Sequence, residues 1–444
     1  MSFFSYASIS LWPVIMPAHK TEKCNLHSIG SEKRDDQKMK IEALETFVVG
    51  NPPPSFGGRY FIFVRINTAC GIAGVGEIYC AAFGPAIVCE MAQDVFERYL
   101  EGHSPSHIER FWHRAHGSGF THRPDSTMQA VVSGLEMACW DIVGKAFNQP
   151  IYELLGGKVH EKLRSYTYLY PTAEQELGTF YNDPHASAEA AAACVKQGFT
   201  AVKFDPAGQY TVFDGRMPDL QAIEQSVKFC RLIRQAVGTS ADLLFGTHGQ
   251  FTSAGAIRVA KQLETFDPLW FEEPIPPDMP EEMAKVARAT SIPIATGERL
   301  CSKFEFARVL EHGAAAILQP NLGRAGGILE AKKIAALAEA KYAQIAPHLY
   351  CGPIVAAANI QLATCTPNFL IAESIGKMDG FHASLLKKPL QWEDGYLIPP
   401  TAPGLGVELN DFVVAAHPWV GDQLHLEMGQ HPYDPVRDRL FPGG

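Results

Sequence analysis

Hydrophobic and polar positions along the chain fall into two textures. Over residues 39–128, the stretches 44–49 and 60–66 alternate or run apolar as paired strands do, and 86–100 carries apolar residues at helical spacing. Between those strands lies Asn51-Pro-Pro-Pro-Ser-Phe-Gly-Gly58, too long for a tight hairpin, which reads either as a flexible connection or as a lid over a site. Gly71, Gly74 and Gly76 read as punctuation of a turn before Glu77. From about residue 165, short β-like runs alternate with helical ones. Strands are expected at 164–168, 201–204, 243–245, 269–271, 292–295, 314–318, 343–346 and 369–372. Helices are expected at 186–197, 220–237, 254–264, 280–289, 303–311 and 329–341. Eight such βα units closing on themselves make a TIM barrel. An open doubly wound sheet has the same pattern, but no GxGxxG or GxxxxGK[ST] loop follows any of these strands.

In a barrel, the groups that do chemistry lie at the C-terminal ends of the strands. Read in order, those ends carry Lys203 and Asp205, then His248, Glu272 with Glu273, Glu298, Asn321, His348 and Glu373. One acid after an apolar strand is usually a solvated loop residue or a helix cap. Several acids, two histidines and a lysine at successive strand ends converge on one mouth.

Composition narrows the range of partners. The chain has 444 residues, 46% of them apolar and 19% charged, enough for two or three domains with a sizeable core. A net charge of -10 and the lack of any Lys/Arg run argue against nucleic acid or an acidic membrane surface as partner. No run of 18 apolar residues exists to span a bilayer. Ten cysteines with no CxxC pair read as thiols of a reducing compartment, so a cytoplasmic location is expected. Residues 1–38 differ from the rest: an apolar start broken by Pro13 and Pro17 and lacking basic residues, then a polar stretch. They are expected to be a poorly ordered extension, not a secretory signal.

The polar set suggests a particular chemistry. Carboxylates on neighbouring strands are hard oxygen ligands whose repulsion a divalent cation such as Mg²⁺ relieves. A bound metal stabilises the enediolate formed when a proton leaves the carbon α to a carboxylate. Histidines on either side supply proton acceptor and donor near neutral pH.

These residues resemble the mandelate racemase/muconate lactonizing branch of the enolase superfamily, and within it the acid-sugar dehydratases similar to galactonate dehydratase. The resemblance runs from Met39 to about Glu408. Its pieces are Ala138-Cys-Trp-Asp-Ile-Val-Gly-Lys145, Pro150-Ile-Tyr-Glu-Leu-Leu-Gly-Gly157, Val202-Lys-Phe-Asp-Pro206, Thr247-His-Gly249, Trp270-Phe-Glu-Glu-Pro274, Thr296-Gly-Glu-Arg299, Leu318-Gln-Pro-Asn321, Ala346-Pro-His-Leu349 and Pro403-Gly-Leu-Gly-Val-Glu408. It implies an α/β fold, a modified TIM barrel of (β/α)7β form with an N-terminal α+β capping domain. Residues 39–160 would form the cap, 161–390 the barrel, and 391–444 a segment completing the cap. A homo-oligomer, dimer or octamer, is also implied.

Carried over by position, the resemblance makes Glu272 and Glu298 two of three carboxylates that hold Mg²⁺. The third falls on Gly246, which has no side chain to offer. Asp205, on the adjacent strand end, is the candidate to approach the metal from the side, with water as the alternative. The second departure is Asn321, where the family has an acid that orients the histidine at His348. Asn321 can hold a tautomer but cannot raise the imidazole pKa by charge, leaving His348 a weaker base or mainly a hydrogen-bond donor. His248 matches a catalytic acid, Lys203 a contact to the substrate carboxylate, and Glu373 a partner for the enediolate oxygen. Glu273 reads as an inward supporting acid, and Arg299 and Arg324 as structural ion pairs. The activity implied is dehydration of a monoacid sugar, an aldonate, to a 2-keto-3-deoxy acid, with His348 removing the C2 proton, Mg²⁺ holding the enediolate through Glu272 and Glu298, and His248 protonating the departing 3-hydroxyl. A racemase, epimerase or cycloisomerase on the same fold is the alternative, and a ligand-binding member that has lost the chemistry is a third. Tyr79, Tyr350 and the 51–58 loop would shape specificity.

Overall fold

The computed structural model describes residues 39–434 except Thr121, Pro206 and Gln209. The expectation for residues 1–38 lies outside the described residues. The first unit is an antiparallel sheet of β1 (Ile41–Gly50), β2 (Tyr60–Thr68) and β3 (Ala73–Ile78). Helices α1 (Pro85–Tyr99), α2 (Ile108–His116) and α3 (Ser126–Ala146) follow. The Asp125 carboxylate caps α3 by accepting from the Thr127 and Met128 amides.

Gly74 and Gly76 are not turn residues. Only Gly71, at φ +82°, turns the chain; the other two lie within β3. A Cβ on Gly76 would sit 1.9 Å from the Gly134 carbonyl oxygen of α3, and one on Gly74 would sit 2.1 Å from that of Ala138. The missing side chains let α3 rest directly on the strand.

Among the described residues, eight parallel strands follow: β4 (Leu163–Tyr168), β5 (Ala201–Phe204), β6 (Asp242–Gly246), β7 (Trp270–Glu272), β8 (Ile294–Thr296), β9 (Ile317–Leu318), β10 (Gln344–Ile345) and β11 (Ala372–Ser374). Each pairs with the next from β4 to β10, β11 pairs back onto β4, and a single bridge joins Ile345 to Phe369 just before β11. Crossover helices are α4 (Pro184–Gln197), α5 (Leu220–Val237), α6 (Ser253–Leu263), α7 (Pro280–Ala289), α8 (Ser302–His312), α9 (Ile328–Glu339) and α10 (Pro353–Thr364). The result is a (β/α)7β barrel. Helix α10 carried no helical periodicity to read, because every one of its residues is buried and its apolar positions face all ways. The barrel interior is filled by Tyr166, Ala201, Leu244, Trp270, Ala295, Ile317, Ala346 and Ile371, one from each strand or its edge. That layer forms a floor within the barrel, with the strand C-termini above it.

Two buried glutamates of the first unit bind it to the barrel. Glu136 of α3 accepts from the Ile328 and Leu329 amides at 2.8 and 2.9 Å, capping α9. Glu77 of β3 accepts from the amides of Gly352 and Val355, capping α10. Both carboxylates meet otherwise orphaned N–H groups at the positive end of a helix. After residue 390 the chain serves both units. Strands β12 (Gln391–Glu393) and β13 (Tyr396–Ile398) form a hairpin antiparallel to β4. The chain then runs along the first sheet, where Gly50 donates to the His417 carbonyl and Trp419 to that of Val48. No helix among the described residues is long and apolar enough to cross a membrane.

Gly76→Ala is expected to destabilise the protein by about 1–3 kcal/mol or more, because backbone and not a flexible side-chain tip blocks the new methyl. Gly84→Ala, with nothing within 4 Å of its Cβ and a φ of -59°, should cost only the preference for glycine over alanine at the N-cap of α1, about 0.5–1 kcal/mol. Chemical unfolding of the two variants in parallel checks the contrast.

Candidate active site

A cavity of about 500 Å³ opens at the C-terminal ends of the barrel strands, beneath the first unit. Lys203, Asp205, His248, Glu298, His348 and Glu373 all line it. Glu272 and Asn321 stand just behind, each bonded to one of the lining residues. The 51–58 loop contributes Pro54 and Phe56 to the wall, Phe56 stacking on Tyr170 with ring centroids 4.1 Å apart. The Asn51 side chain ties that loop by donating to the carbonyls of Phe56 and Gly58. Tyr79 and Tyr350 line the wall as expected. Tyr168, Tyr170, Tyr181 and Tyr210 line it as well and were not foreseen. The run Tyr166-Thr-Tyr-Leu-Tyr170, alternating aromatics at the end of the first barrel strand, was the available signal. Leu426, Glu427 and Gly429 add a further wall from the far end of the chain.

Lys203 stands at the centre. Its ammonium lies 2.6 Å from Glu272 Oε1 and 3.5 Å from Glu373 Oε1, and the side chain is 2% exposed. Burial works against the charge, but Glu272 and Glu373 outweigh it and hold the Lys203 pKa well above the ordinary value. The second oxygen of Glu272 accepts from Gln319 Nε2 at 2.8 Å. Glu373 Oε2 accepts from the Leu349 amide at 2.7 Å. Burial raises the Glu373 pKa although Lys203 opposes the shift.

The two histidines differ in every respect that matters to proton transfer. His248 sits in a turn after β6, held because the Thr247 hydroxyl donates to the Glu272 and Glu273 carbonyls and the Gly249 amide donates to that of Glu273. Its φ of +46° is the left-handed region, which a non-glycine residue keeps only where its surroundings enforce it. Nδ1 lies 2.6 Å from Asp205 Oδ2. With Nδ1 donating to that carboxylate, Nε2 is the nitrogen left for proton exchange. Burial disfavours the charged imidazole, yet Glu298 and Asp205 raise its pKa to about 9.

His348 is turned the other way round. The Gly323 amide donates to Asn321 Oδ1 at 2.9 Å, which orients the side-chain amide. Asn321 Nδ2 therefore faces His348 Nδ1 at 2.9 Å and can only donate to it. His348 thus accepts on Nδ1 and carries its proton on Nε2, which lies 3.2 Å from Glu298 Oε2 without forming a hydrogen bond to it. Burial, against the pull of Glu298, brings its pKa down to about 4, so the ring is neutral. Burial disfavours the charged Glu298 carboxylate, yet the positive charges of His248, Lys203 and Arg299 hold it below the usual carboxylate range.

Of the three acids expected to share a metal, Glu272 has Lys203 and Gln319 on its two oxygens and Asp205 has His248 on Oδ2, while Asp205 Oδ1 and Glu298 Oε2 are buried without a hydrogen bond. Among the described residues, no three His, Cys, Asp or Glu side chains are grouped to hold a metal ion. Glu273 and Arg299 pair with each other, Arg299 Nε lying 2.7 Å from Glu273 Oε2. Arg324 packs over the Tyr79 ring at 4.2 Å.

Comparison with known proteins is consistent with this architecture. Residues 52–156 match the mandelate racemase/muconate lactonizing enzyme N-terminal domain, and 186–413 match the enolase C-terminal domain-like family. D-galactonate dehydratase of Ralstonia pickettii is 35% identical over 382 residues, covering 85% of this chain and 94% of that protein. D-xylonate dehydratase of Haloferax volcanii is 33% identical over 390 residues, covering 86% and 89%. The solved structure of a mandelate racemase/muconate lactonizing enzyme from Sulfitobacter superposes with a TM-score of 0.87 at 54% identity, covering 89% of this chain and all of that one.

Asn321→Asp should reverse the His348 tautomer, since a carboxylate accepts from Nδ1–H and frees Nε2. It should also raise the His348 pKa by about 1–3. Nitrogen NMR of histidine-labelled protein reads both changes; an Nδ1–H signal for His348 already in the unaltered chain would contradict the assignment.

Proposed function

The chain belongs to the mandelate racemase/muconate lactonizing enzyme family of enolase-like proteins, and on that premise we propose that it is a hydro-lyase acting on a monoacid sugar. The reaction removes the C2 proton of an aldonate and expels the 3-hydroxyl, leaving an enol that tautomerises to a 2-keto-3-deoxy acid. Two dehydratases of sugar acids among its relatives support the class. The single observation that carries the reading is the asymmetry of the histidines, one oriented by Asp205 and the other by Asn321.

In this scheme His248, oriented by Asp205, takes the C2 proton on Nε2. It returns that proton to the 3-hydroxyl departing from the same face as water, so the proton balance closes on one imidazole. His348, neutral and protonated on Nε2, donates a hydrogen bond to the substrate and accepts no proton. The tyrosines and acids of the wall supply donors and acceptors for a polyhydroxylated chain. The fold family implies Mg²⁺, but the residues here do not fit it, because both oxygens of Glu272 and one of Asp205 are committed to protein donors and Gly246 has no side chain to offer. No step is routed through a metal.

Racemisation needs a proton acceptor on each face of the α-carbon, and His348 offers none. Elimination is therefore favoured over the epimerase and racemase alternatives. Incubation with a panel of C5 and C6 aldonates in D₂O should yield 2-keto-3-deoxy acid. Deuterium at C2 with inverted configuration and no keto acid would overturn the proposal.

The pH profile tests the role of His248. A base must be unprotonated, so below its pKa of about 9 only the minor neutral fraction works, and kcat/KM should climb with pH until about 9 and then level. A fall through that pH instead would make His248 an acid only. His248→Asn should lower kcat by about 10²–10⁴-fold, measured against a chain shown by circular dichroism to be folded.

A further inference from the structure

We propose that the Lys203 ammonium takes the place of a divalent cation, so that the carboxylates at the mouth of this barrel work without a bound metal. The position of Gly246 motivates the idea. A Cβ built on Gly246 would point at Lys203, 3.4 Å from its Cε, and its only other neighbour within 4 Å is the Phe204 carbonyl oxygen at 3.8 Å. The Lys203 stem thus runs through the space that a longer side chain at 246 would enter. Gly246 and Lys203 stand on hydrogen-bonded neighbouring strands, β6 and β5.

The ammonium reaches one of the acids a metal would need, Glu272, together with the neighbouring acid Glu373. It lies 2.6 Å from Glu272 and 3.5 Å from Glu373. Gln319 occupies the other oxygen of Glu272, and Asp205 is bound to His248 through Oδ2, which leaves Asp205 Oδ1 and Glu298 Oε2 as the buried candidate ligand atoms without a hydrogen bond. A divalent ion entering here would meet a buried positive charge already bonded to its would-be ligand, and like charges at such range repel strongly away from water. Lys203 also meets the chemical need that a metal would serve. An ammonium carries three donors, and a fixed positive charge beside a developing enediolate lowers its energy without rearranging at the moment of reaction. Lysine differs from a metal in having no open coordination position, so substrate oxygens would be held by hydrogen bonds alone.

The claim concerns the cation, and its test does not depend on which sugar acid is turned over. Calorimetric titration of the full chain with MgCl₂ should give no binding heat up to millimolar concentration. The melting midpoint should be the same in Mg²⁺ and in EDTA. Elemental analysis after dialysis against metal-containing buffer should find no stoichiometric divalent ion. Lys203→Ala combined with Gly246→Asp removes the charge and supplies a carboxylate next to Glu272. That double variant should acquire a melting midpoint that rises with Mg²⁺. Uptake of one Mg²⁺ per unaltered chain overturns the proposal, and so does a folded double variant that remains indifferent to Mg²⁺. If the double variant does not fold, the titration of the unaltered chain decides alone. Failure of the dehydratase reading would instead appear as lack of keto acid with metal binding still absent.

Discussion

The ion pair between Lys203 and Glu272 organises the mouth of the barrel. Both side chains are 2% exposed, and their charges have been withdrawn from water at substantial cost. Such a pair is a poor source of stability compared with two apolar residues of the same volume, though breaking it by removing one partner typically costs about 3–5 kcal/mol. Its effect is electrostatic. It sets a fixed positive charge among Glu272, Glu373 and Glu298, one that opposes the effect of burial on both Glu298 and Glu373.

The surroundings of that charge are shaped by a division of labour between the two units. The barrel supplies the polar groups from its strand ends, each placed by parallel hydrogen bonds to neighbouring strands. The first unit supplies a roof and is held to the barrel by carboxylates that cap two helices, Glu136 on α9 and Glu77 on α10. Burial raises both acids, Glu77 to about 7 and Glu136 to about 8, even though backbone N–H groups oppose the shift. Joining the units through capped helix ends satisfies donors that would otherwise be buried without partners. It also keeps the roof in register with His348 and Tyr350, which lie between β10 and α10.

The histidines show how a single neighbouring atom alters a reaction. Asp205 and Asn321 differ in whether they accept or donate, and that difference decides which ring nitrogen of each histidine carries a proton. Charge then separates the pair further: Glu298 and Asp205 draw His248 toward the protonated form, while burial keeps His348 neutral. A site with one oriented proton acceptor suits a reaction that moves a proton and a hydroxyl on one face.

The order of strands and helices was legible in the chain because alternation and helical spacing are local, repeating signals. So were the polar residues at the strand ends, and the two departures at Gly246 and Asn321. Helix α10 escaped because a helix buried on all sides has no polar face to reveal its period. The glycines of β3 were misplaced because their purpose is contact with α3, some sixty residues away. Only the tertiary structure decided partners. Asp205, anticipated as a ligand beside Glu272 and Glu298, lies against His248 because adjacent strands β5 and β6 end side by side. The direction of the Asn321 amide depends on the Gly323 N–H, and the charge on Lys203 depends on acids of β7 and β11. Periodicity is written along the chain, whereas protonation and ion pairing depend on distances through space, which exist only once the barrel has closed its strands around a common mouth.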